Sequence, residues 1–227
     1  MSTTASNEIE NFTKIAEIKR IFTTLSTDFL KTKPKCLVVT SALRSEGKTT
    51  TTASLAATAA LQSDCRVLAV DLNWHRSALH TCFGLSPTFD AATFSEEKNL
   101  SKQVQPSGIK NLDILTAIQS VKRKDRDGIK DTALGKEIIK LARDSYDLTI
   151  VDAASIFPTN QNMIDPISIS VAEDGVGVVM AVLIKVTTRQ MVKRSRTLLE
   201  TAGAKLQGVI VNHWRNPLFK ATPTRFK

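Results

Sequence analysis

Short apolar runs alternate with amphipathic segments along most of the chain. Six runs have the length and β-branched content of buried strands: CLVVT, RVLAVD, LDIL, LTIVD, GVGVVMAVL and LQGVIVN. Between them, apolar side chains recur at intervals of three and four residues, which is typical of helices packed on one face. This spacing and the flanking residues predict helices at about 15–29, 49–62, 132–144 and 188–202, with a short helical segment at 77–85.

Strands that alternate with helices predict an α/β fold, in which a mainly parallel sheet is covered by helices on both faces. The length of 227 residues suits one such domain. Gly203 is expected to cap the last helix. We expect three parts: an N-terminal helix within 1–35, the main domain over 36–214, and an irregular basic tail over 215–227.

The composition of the chain mainly excludes certain classes of protein. No run is long and apolar enough to cross a membrane, and the N-terminus lacks the basic flank and apolar centre of a secretion signal, so a cytoplasmic protein is expected. The three cysteines have no metal-type spacing and are expected to be free thiols. The net charge of +9 allows an acidic partner, but no aromatic residues interleave with the basic clusters. We therefore expect no specific nucleic-acid partner.

A candidate phosphate-binding loop follows the first strand. The segment SALRSEGKTTTT (residues 41–52) stands between CLVVT and a helix of small residues. In such loops, backbone N–H groups at a helix start bind phosphate, a lysine adds charge, and a hydroxyl ligates Mg²⁺. Ala42 and Ser45 replace glycines of stricter versions, so a chance match is the alternative. The predicted nucleotide-binding residues are Arg44, Ser45, Glu46, Gly47, Lys48, Thr49 and Thr50.

Two aspartates strengthen the prediction of a nucleotide site. Asp71 ends VLAVD, and Asp152 ends LTIVD. The carboxyl ends of parallel strands meet at one edge of a sheet, where ligands bind. One strand-end aspartate could be a turn cap, but two beside a phosphate loop favour a Mg²⁺ site, because Mg²⁺ prefers oxygen ligands. The predicted metal-binding residues are Thr49, Asp71 and Asp152.

Five stretches resemble successive blocks of the bacterial tyrosine kinases: TSALRSEGKTTTTASLA, VLAVDLNWHRSALHTCFGL, NLDILTA, YDLTIVDA and TLLETAGAKLQGVIVN. The resemblance runs from about Glu17 to Asn212, and alanine at position 42 is usual in that branch. These kinases act in capsule and exopolysaccharide synthesis. They are P-loop NTPases of the deviant-Walker group, alongside partition and septum-positioning ATPases.

The resemblance implies ATP or ADP and Mg²⁺ as cofactors. It gives catalytic roles to Lys48, which would hold the phosphates, to Asp71, which would act as base or on Mg²⁺-bound water, and to Asp152. Asp152 would bind Mg²⁺ through water, and Thr49 would bind it directly. Asn212 would read the base, although a strand-end turn residue is an equally compatible interpretation.

The resemblance also implies assembly and a partner. Glu17 and Arg20 match the first two positions of an E-x-x-R-x-x-R motif that supports ring formation, whereas Thr23 stands at the third. An ordinary exposed i,i+3 pair is the alternative. In the family a membrane chain-length protein supplies an activating segment. We expect it to be a separate polypeptide that recruits this chain to the inner face of the membrane.

The sequence departs from the family in four places. Thr23 bears on assembly, whereas the other three bear on phosphoryl transfer and leave the activity open. Asn73 stands at the second acidic position of the motif that begins with Asp71. The segment AAS at 153–155 replaces Thr-Pro-Pro, and the tail contains no tyrosine. The single tyrosine, Tyr146, is expected to be a packing residue. One alternative to a kinase or ATPase is therefore a regulator that binds nucleotide without transferring phosphate. A positioning ATPase is less favoured, because no lysine occurs at 41–43.

Overall fold

The structure is a computed structural model that describes residues 16–28, 35–119, 127–157 and 162–213. Seven strands form one sheet: β1 (Lys35–Ser41), β2 (Val67–Asp71), β3 (Gln105–Pro106), β4 (Leu112–Leu115), β5 (Leu148–Ser155), β6 (Val176–Leu183) and β7 (Lys205–Asn212). Their spatial order is β3-β4-β2-β5-β1-β6-β7. Every neighbouring pair is parallel except β3 and β4. The six predicted strands are confirmed; β3, with two residues, is too short to show a period.

Seven helices accompany the sheet in the described parts of the chain: α1 (Ala16–Asp28), α2 (Lys48–Gln62), α3 (Leu79–Cys82), α4 (Ala91–Glu97), α5 (Gly128–Ser145), α6 (Pro166–Ser170) and α7 (Arg189–Thr201). The four long helices were predicted. Helix α5 begins earlier than expected because the Asp127 side chain caps it, accepting from the N–H groups of Ile129 and Lys130. Helices α4 and α6 were not predicted, and each begins after a capping aspartate, Asp90 or Asp165.

Helices cover both faces of the sheet, as the sequence predicts. Successive residues of a strand point to opposite faces. Val39 of β1 joins the core beneath α2, whereas Val38 joins the core that contains Ile138 and Ile139 of α5. Helix α1 packs on the outside of α2 and buries Phe22. This two-sided burial explains why the central strands are almost wholly apolar.

Gly203 ends α7 as expected. It adopts a left-handed φ of 89°, and its N–H donates to the carbonyl of Glu200. The next residue, Ala204, donates to the carbonyl of Leu199. This pair of hydrogen bonds satisfies the last carbonyls of the helix, and glycine allows it without a Cβ penalty.

The expected division into three parts remains a prediction. Residues 1–15, 29–34 and 214–227 lie outside the described residues, as does most of the basic segment at 121–130. Within the described ranges, no helix is both long enough and apolar enough to span a membrane. All three cysteines are free, and burial raises the pKa of the Cys36 thiol to about 12.

Candidate nucleotide site at the carboxyl edge of the sheet

The predicted phosphate loop joins β1 to the start of α2. Two residues in it have left-handed backbone angles, Ser45 with φ of 61° and Gly47 with φ of 89°. Gly47 occupies the N-cap position of α2 and offers no side-chain cap. The first-turn N–H groups of a helix have no intrahelical partner, and they carry the positive end of the helix dipole. The loop thus presents a helix start suited to phosphate.

Lys48 lies inside this loop. Its side chain is 6% exposed, and its Nζ donates to the Ser41 hydroxyl at 3.1 Å. Burial lowers the pKa of Lys48, whereas the negative charges of Asp152 and Glu46 raise it. The ammonium group is therefore held near oxygen atoms inside the loop. The oxygens of a bound phosphate would be further partners for it.

One oxygen of the buried Asp152 carboxylate has no hydrogen-bond partner. The carboxylate is completely buried, its Oδ2 accepts from the Thr49 hydroxyl at 2.5 Å, and its Oδ1 has no hydrogen-bond partner. Burial raises the pKa of Asp152 to about 8, and the Asp71 charge adds to this rise. The Thr49 hydrogen bond and the Lys48 charge oppose it. An unpartnered buried carboxylate oxygen is costly, and a cation would offset that cost.

Asp71 lies beside Asp152 on the neighbouring strand, because the two residues are paired in the register of β2 and β5. Its Oδ1 accepts from the N–H of Asn73 at 3.0 Å, and its Oδ2 accepts from the N–H of Leu79 at 3.2 Å. Burial raises the pKa of Asp71 to about 6, while these backbone hydrogen bonds lower it. Asp71 therefore also orders the turn that follows β2.

The donor set of this edge fits Mg²⁺. Across the described residues, no group of three or more His, Cys, Asp or Glu side chains could hold a metal by itself. Thr49 and Asp152 offer a hydroxyl and carboxylate oxygens in one place, and Mg²⁺ usually takes one or two protein carboxylates and completes its shell with water and phosphate. The residues present thus match Mg²⁺ better than a metal that needs an all-protein cage.

Asn212, at the end of β7, lies against the loop. Its Nδ2 donates to the carbonyl of Glu46 at 3.3 Å, and a Cβ added to Gly47 would overlap this same nitrogen. The remaining predicted loop residues, Arg44, Ser45 and Thr50, are exposed. Sequence reasoning missed Thr187, whose hydroxyl donates to Glu46 Oε1. No local signal could reveal this contact, since 141 positions separate the two residues.

Two departures from the family have visible structural consequences. Asn73 donates its backbone N–H to Asp71, so it takes part in the turn after β2. The residues at 153–155 extend β5, and the carbonyl of Ala154 accepts from the Thr40 hydroxyl at 2.8 Å. Prolines at two of these positions would lack the N–H groups that a strand uses.

The predicted assembly residues lie on α1. Glu17 and Arg20 are both exposed and stand three residues apart on α1. Thr23, at the third motif position, donates its hydroxyl to the carbonyl of Lys19 at 2.9 Å. Assembly through α1 remains a prediction.

Gly47→Ala is expected to lower the free energy of unfolding by about 1–2 kcal/mol and to weaken nucleotide binding, because a left-handed backbone penalises a Cβ. The added methyl would also displace Asn212. Urea unfolding and calorimetric titration measure the two effects. Gly108→Ala is the matched control, because Gly108 has φ of 86° and open space around its Cβ position. Equal losses of stability in both variants would contradict a structural role for the Gly47–Asn212 contact.

Comparison with known proteins identifies the family. The model of the CobQ/CobB/MinD/ParA nucleotide-binding domain matches residues 37–222. The chain belongs to this family. The tyrosine-protein kinase YwqD of Bacillus subtilis is 30% identical over 179 residues, which cover 78% of this chain and 72% of YwqD. The tyrosine-protein kinase etk of Escherichia coli K12 is 26% identical over 199 residues, or 87% of this chain. This chain spans only 26% of the length of that kinase.

Solved structures of this family share the fold. The kinase domain of the Escherichia coli tyrosine kinase ETK superposes with a TM-score of 0.71 at 24% identity, over 86% of this chain and 74% of that one. The septum site-determining protein MinD from Pyrococcus horikoshii OT3, complexed with Mg-ADP, gives a TM-score of 0.63 at 18% identity over 79% and 70%. The predicted P-loop fold and the resemblance to bacterial tyrosine kinases are thereby confirmed.

Proposed function

We propose that the chain binds ATP with Mg²⁺ and transfers the γ-phosphoryl group, as a protein kinase or ATPase of the tyrosine-kinase branch that regulates exopolysaccharide or capsule polymerisation and export. The observation that carries the proposal is the hydrogen bonding of the Asp152 carboxylate. One of its oxygens accepts from Thr49, and the other is buried without a partner. Such a carboxylate, placed beside a phosphate loop, fits an edge built for a metal–nucleotide complex.

Each residue has a distinct part in this proposal. The first turn of α2 and Lys48 bind the phosphates, Thr49 and Asp152 hold Mg²⁺, and Asn212 contacts the base. Asp71 would orient a water molecule beside the metal or accept a proton from it. Mg²⁺ held there would supply positive charge beside the transferred group, and positioning and charge stabilisation account for most of such catalysis. The Mg-ADP complex of MinD supports this choice of cofactor.

A second candidate function is a nucleotide-binding regulator without phosphotransfer. Tyr146 favours it, as the single tyrosine of the sequence. Its side chain is 7% exposed, its hydroxyl donates to Asp113 Oδ2 at 2.8 Å, and the Arg66 guanidinium lies 5.1 Å from the centre of its ring. Burial and the Asp113 hydrogen bond raise the pKa of this phenol. Asn73, which cannot act as a carboxylate base, points the same way. A kinase with this sequence would therefore phosphorylate another protein or a residue other than tyrosine.

The fate of the γ-phosphate tests the proposal. The pure protein is incubated with Mg²⁺ and γ-labelled ATP, with Lys48→Ala as control, and label in protein is compared with label released. We expect label in one of the two fractions for the wild type and in neither for the variant. Bound ATP without transfer would replace the first candidate by the regulator. Absence of ATP binding would contradict both.

The partners follow from the same proposal. A separate membrane protein would supply the activating segment and would bring the chain to the inner face of the membrane, and α1 would mediate homo-oligomers. A pull-down from membranes is expected to recover a polysaccharide-export component.

A positioning ATPase is less favoured, because residues 41–43 contain no lysine. Tight DNA binding at physiological salt would revive it.

A further inference from the structure

A second buried carboxylate supports the phosphate loop from within. Glu46 is completely buried, and its Oε2 accepts from the N–H of Leu43, in the same loop, at 2.8 Å. Its Oε1 accepts from the hydroxyl of Thr187, and its backbone carbonyl accepts from Asn212. Glu46 thus joins three segments: the loop itself, the connection between β6 and α7, and the end of β7.

Thr187 is fixed as the donor in this contact. Its hydroxyl oxygen accepts from the N–H of Leu183 at 3.0 Å, and its own N–H donates to the carbonyl of Leu183 at 2.9 Å. A carboxylate oxygen accepts hydrogen bonds, so the proton of the Thr187 hydroxyl is directed to Glu46. The next residue, Thr188, caps α7 by accepting from the N–H of Met191. Thr187 therefore connects Glu46 to the residue that caps α7.

The loop needs such support because its backbone is strained. Glu46 stands between the two left-handed residues of the loop, Ser45 and Gly47. A left-handed conformation is unfavourable for a residue with a side chain, such as Ser45, and it persists only where the surroundings enforce it. The Leu43 and Thr187 hydrogen bonds of the Glu46 side chain are placed to do so, together with the Asn212 hydrogen bond to the Glu46 carbonyl.

We propose that Glu46 is a positioning residue that holds the phosphate loop in its phosphate-binding conformation through Thr187. This part of the proposal can be tested without nucleotide. A second part, which rests on the proposed nucleotide binding, is that occupancy of the loop is coupled to the β6–α7 connection. That connection is exposed, since Ile184 and Val186 are 39% and 52% exposed.

The test uses three single variants of the whole chain. Thr187→Val removes the hydroxyl at nearly constant shape, Thr187→Ser retains it, and Thr24→Val makes the matched change on α1, where the Thr24 hydroxyl donates only to its own helix. Amide hydrogen exchange of residues 42–47 in the nucleotide-free protein reports on the loop. Calorimetric titration with Mg-ATP reports on binding, and exchange at 184–188 with and without Mg-ADP reports on coupling.

We expect faster exchange in the loop and about tenfold weaker Mg-ATP binding for Thr187→Val, because a hydrogen bond to a charged group is lost. Thr187→Ser and Thr24→Val should resemble the wild type. Mg-ADP should slow exchange at 184–188 in the wild type but not in Thr187→Val. Wild-type loop exchange in Thr187→Val, or equal defects in Thr187→Ser, would overturn the role of the hydroxyl. If the wild type binds no nucleotide, the proposed function and the coupling fail, while loop exchange in the free protein still decides the positioning role.

Discussion

Lys48→Ala is expected to weaken Mg-ATP binding by one to two orders of magnitude, because hydrogen bonds to charged groups contribute about 1.5–3 kcal/mol each. The ammonium group of Lys48 is nearly buried and lies beside the Ser41 hydroxyl at the base of the loop. Burial makes its charge more effective towards a phosphate than an exposed lysine would be. Calorimetric titration of the variant with Mg-ATP and with Mg-ADP measures the loss for each nucleotide.

Two further substitutions interpret this result. Lys140→Ala, at an exposed position on α5, removes the same charge far from the loop and should leave affinity unchanged. Lys48→Met keeps the length of the side chain and should behave as Lys48→Ala does, because the charge carries the effect. Unchanged affinity in Lys48→Ala would remove this residue from the site and would count against the proposed phosphate loop.

Asp152→Asn is expected to stabilise the nucleotide-free protein at high pH while abolishing the effect of Mg²⁺ on nucleotide binding. In the folded protein the pKa of Asp152 is raised to about 8, well above its ordinary value of 3.8. The folded state therefore holds a proton that the unfolded chain releases, so folding stability falls as pH rises between about 4 and 8. Asparagine carries no charge and avoids this loss, and it can still accept the Thr49 hydrogen bond.

Urea unfolding at pH 4, 7 and 9, without nucleotide or metal, measures this effect. We expect Asp152→Asn to exceed the wild type by about 2–4 kcal/mol at pH 9 and by little at pH 4. Asp174→Asn, at an exposed position, is the matched control and should show no such pH-dependent gain. A variant less stable than the wild type at pH 9 would mean that Asp152 supports the fold rather than a bound cation.

The same carboxylate is expected to make the proposed Mg²⁺ binding depend on pH. Mg²⁺ binds the ionised form, so the Mg²⁺ affinity of the free protein should rise with pH and level off above about 8. An unpartnered buried carboxylate lowers stability, and such a cost is common at positions where binding requires preorganised charge.

The sequence by itself determined the secondary structure of the core and the residues that line its edge. Burial on both faces makes the central strands continuously apolar, so β1, β2, β5 and β6 are recognisable without a structure. The phosphate loop, Asp71 and Asp152 follow from the same reasoning, because parallel strands bring their carboxyl ends to one edge. Helices α4 and α6 escaped prediction, since a few residues after a capping aspartate carry too little periodicity.

Only the tertiary structure decided how these residues meet. Strand order places β6 beside β1, which puts Thr187, just after β6, in contact with Glu46, and it places β7 beside β6, which brings Asn212 against Gly47. It also pairs Asp71 with Asp152 and leaves one oxygen of Asp152 without a partner. Local patterns record which face of an element is buried. They do not record which distant element covers it, because that choice depends on the packing of the whole sheet.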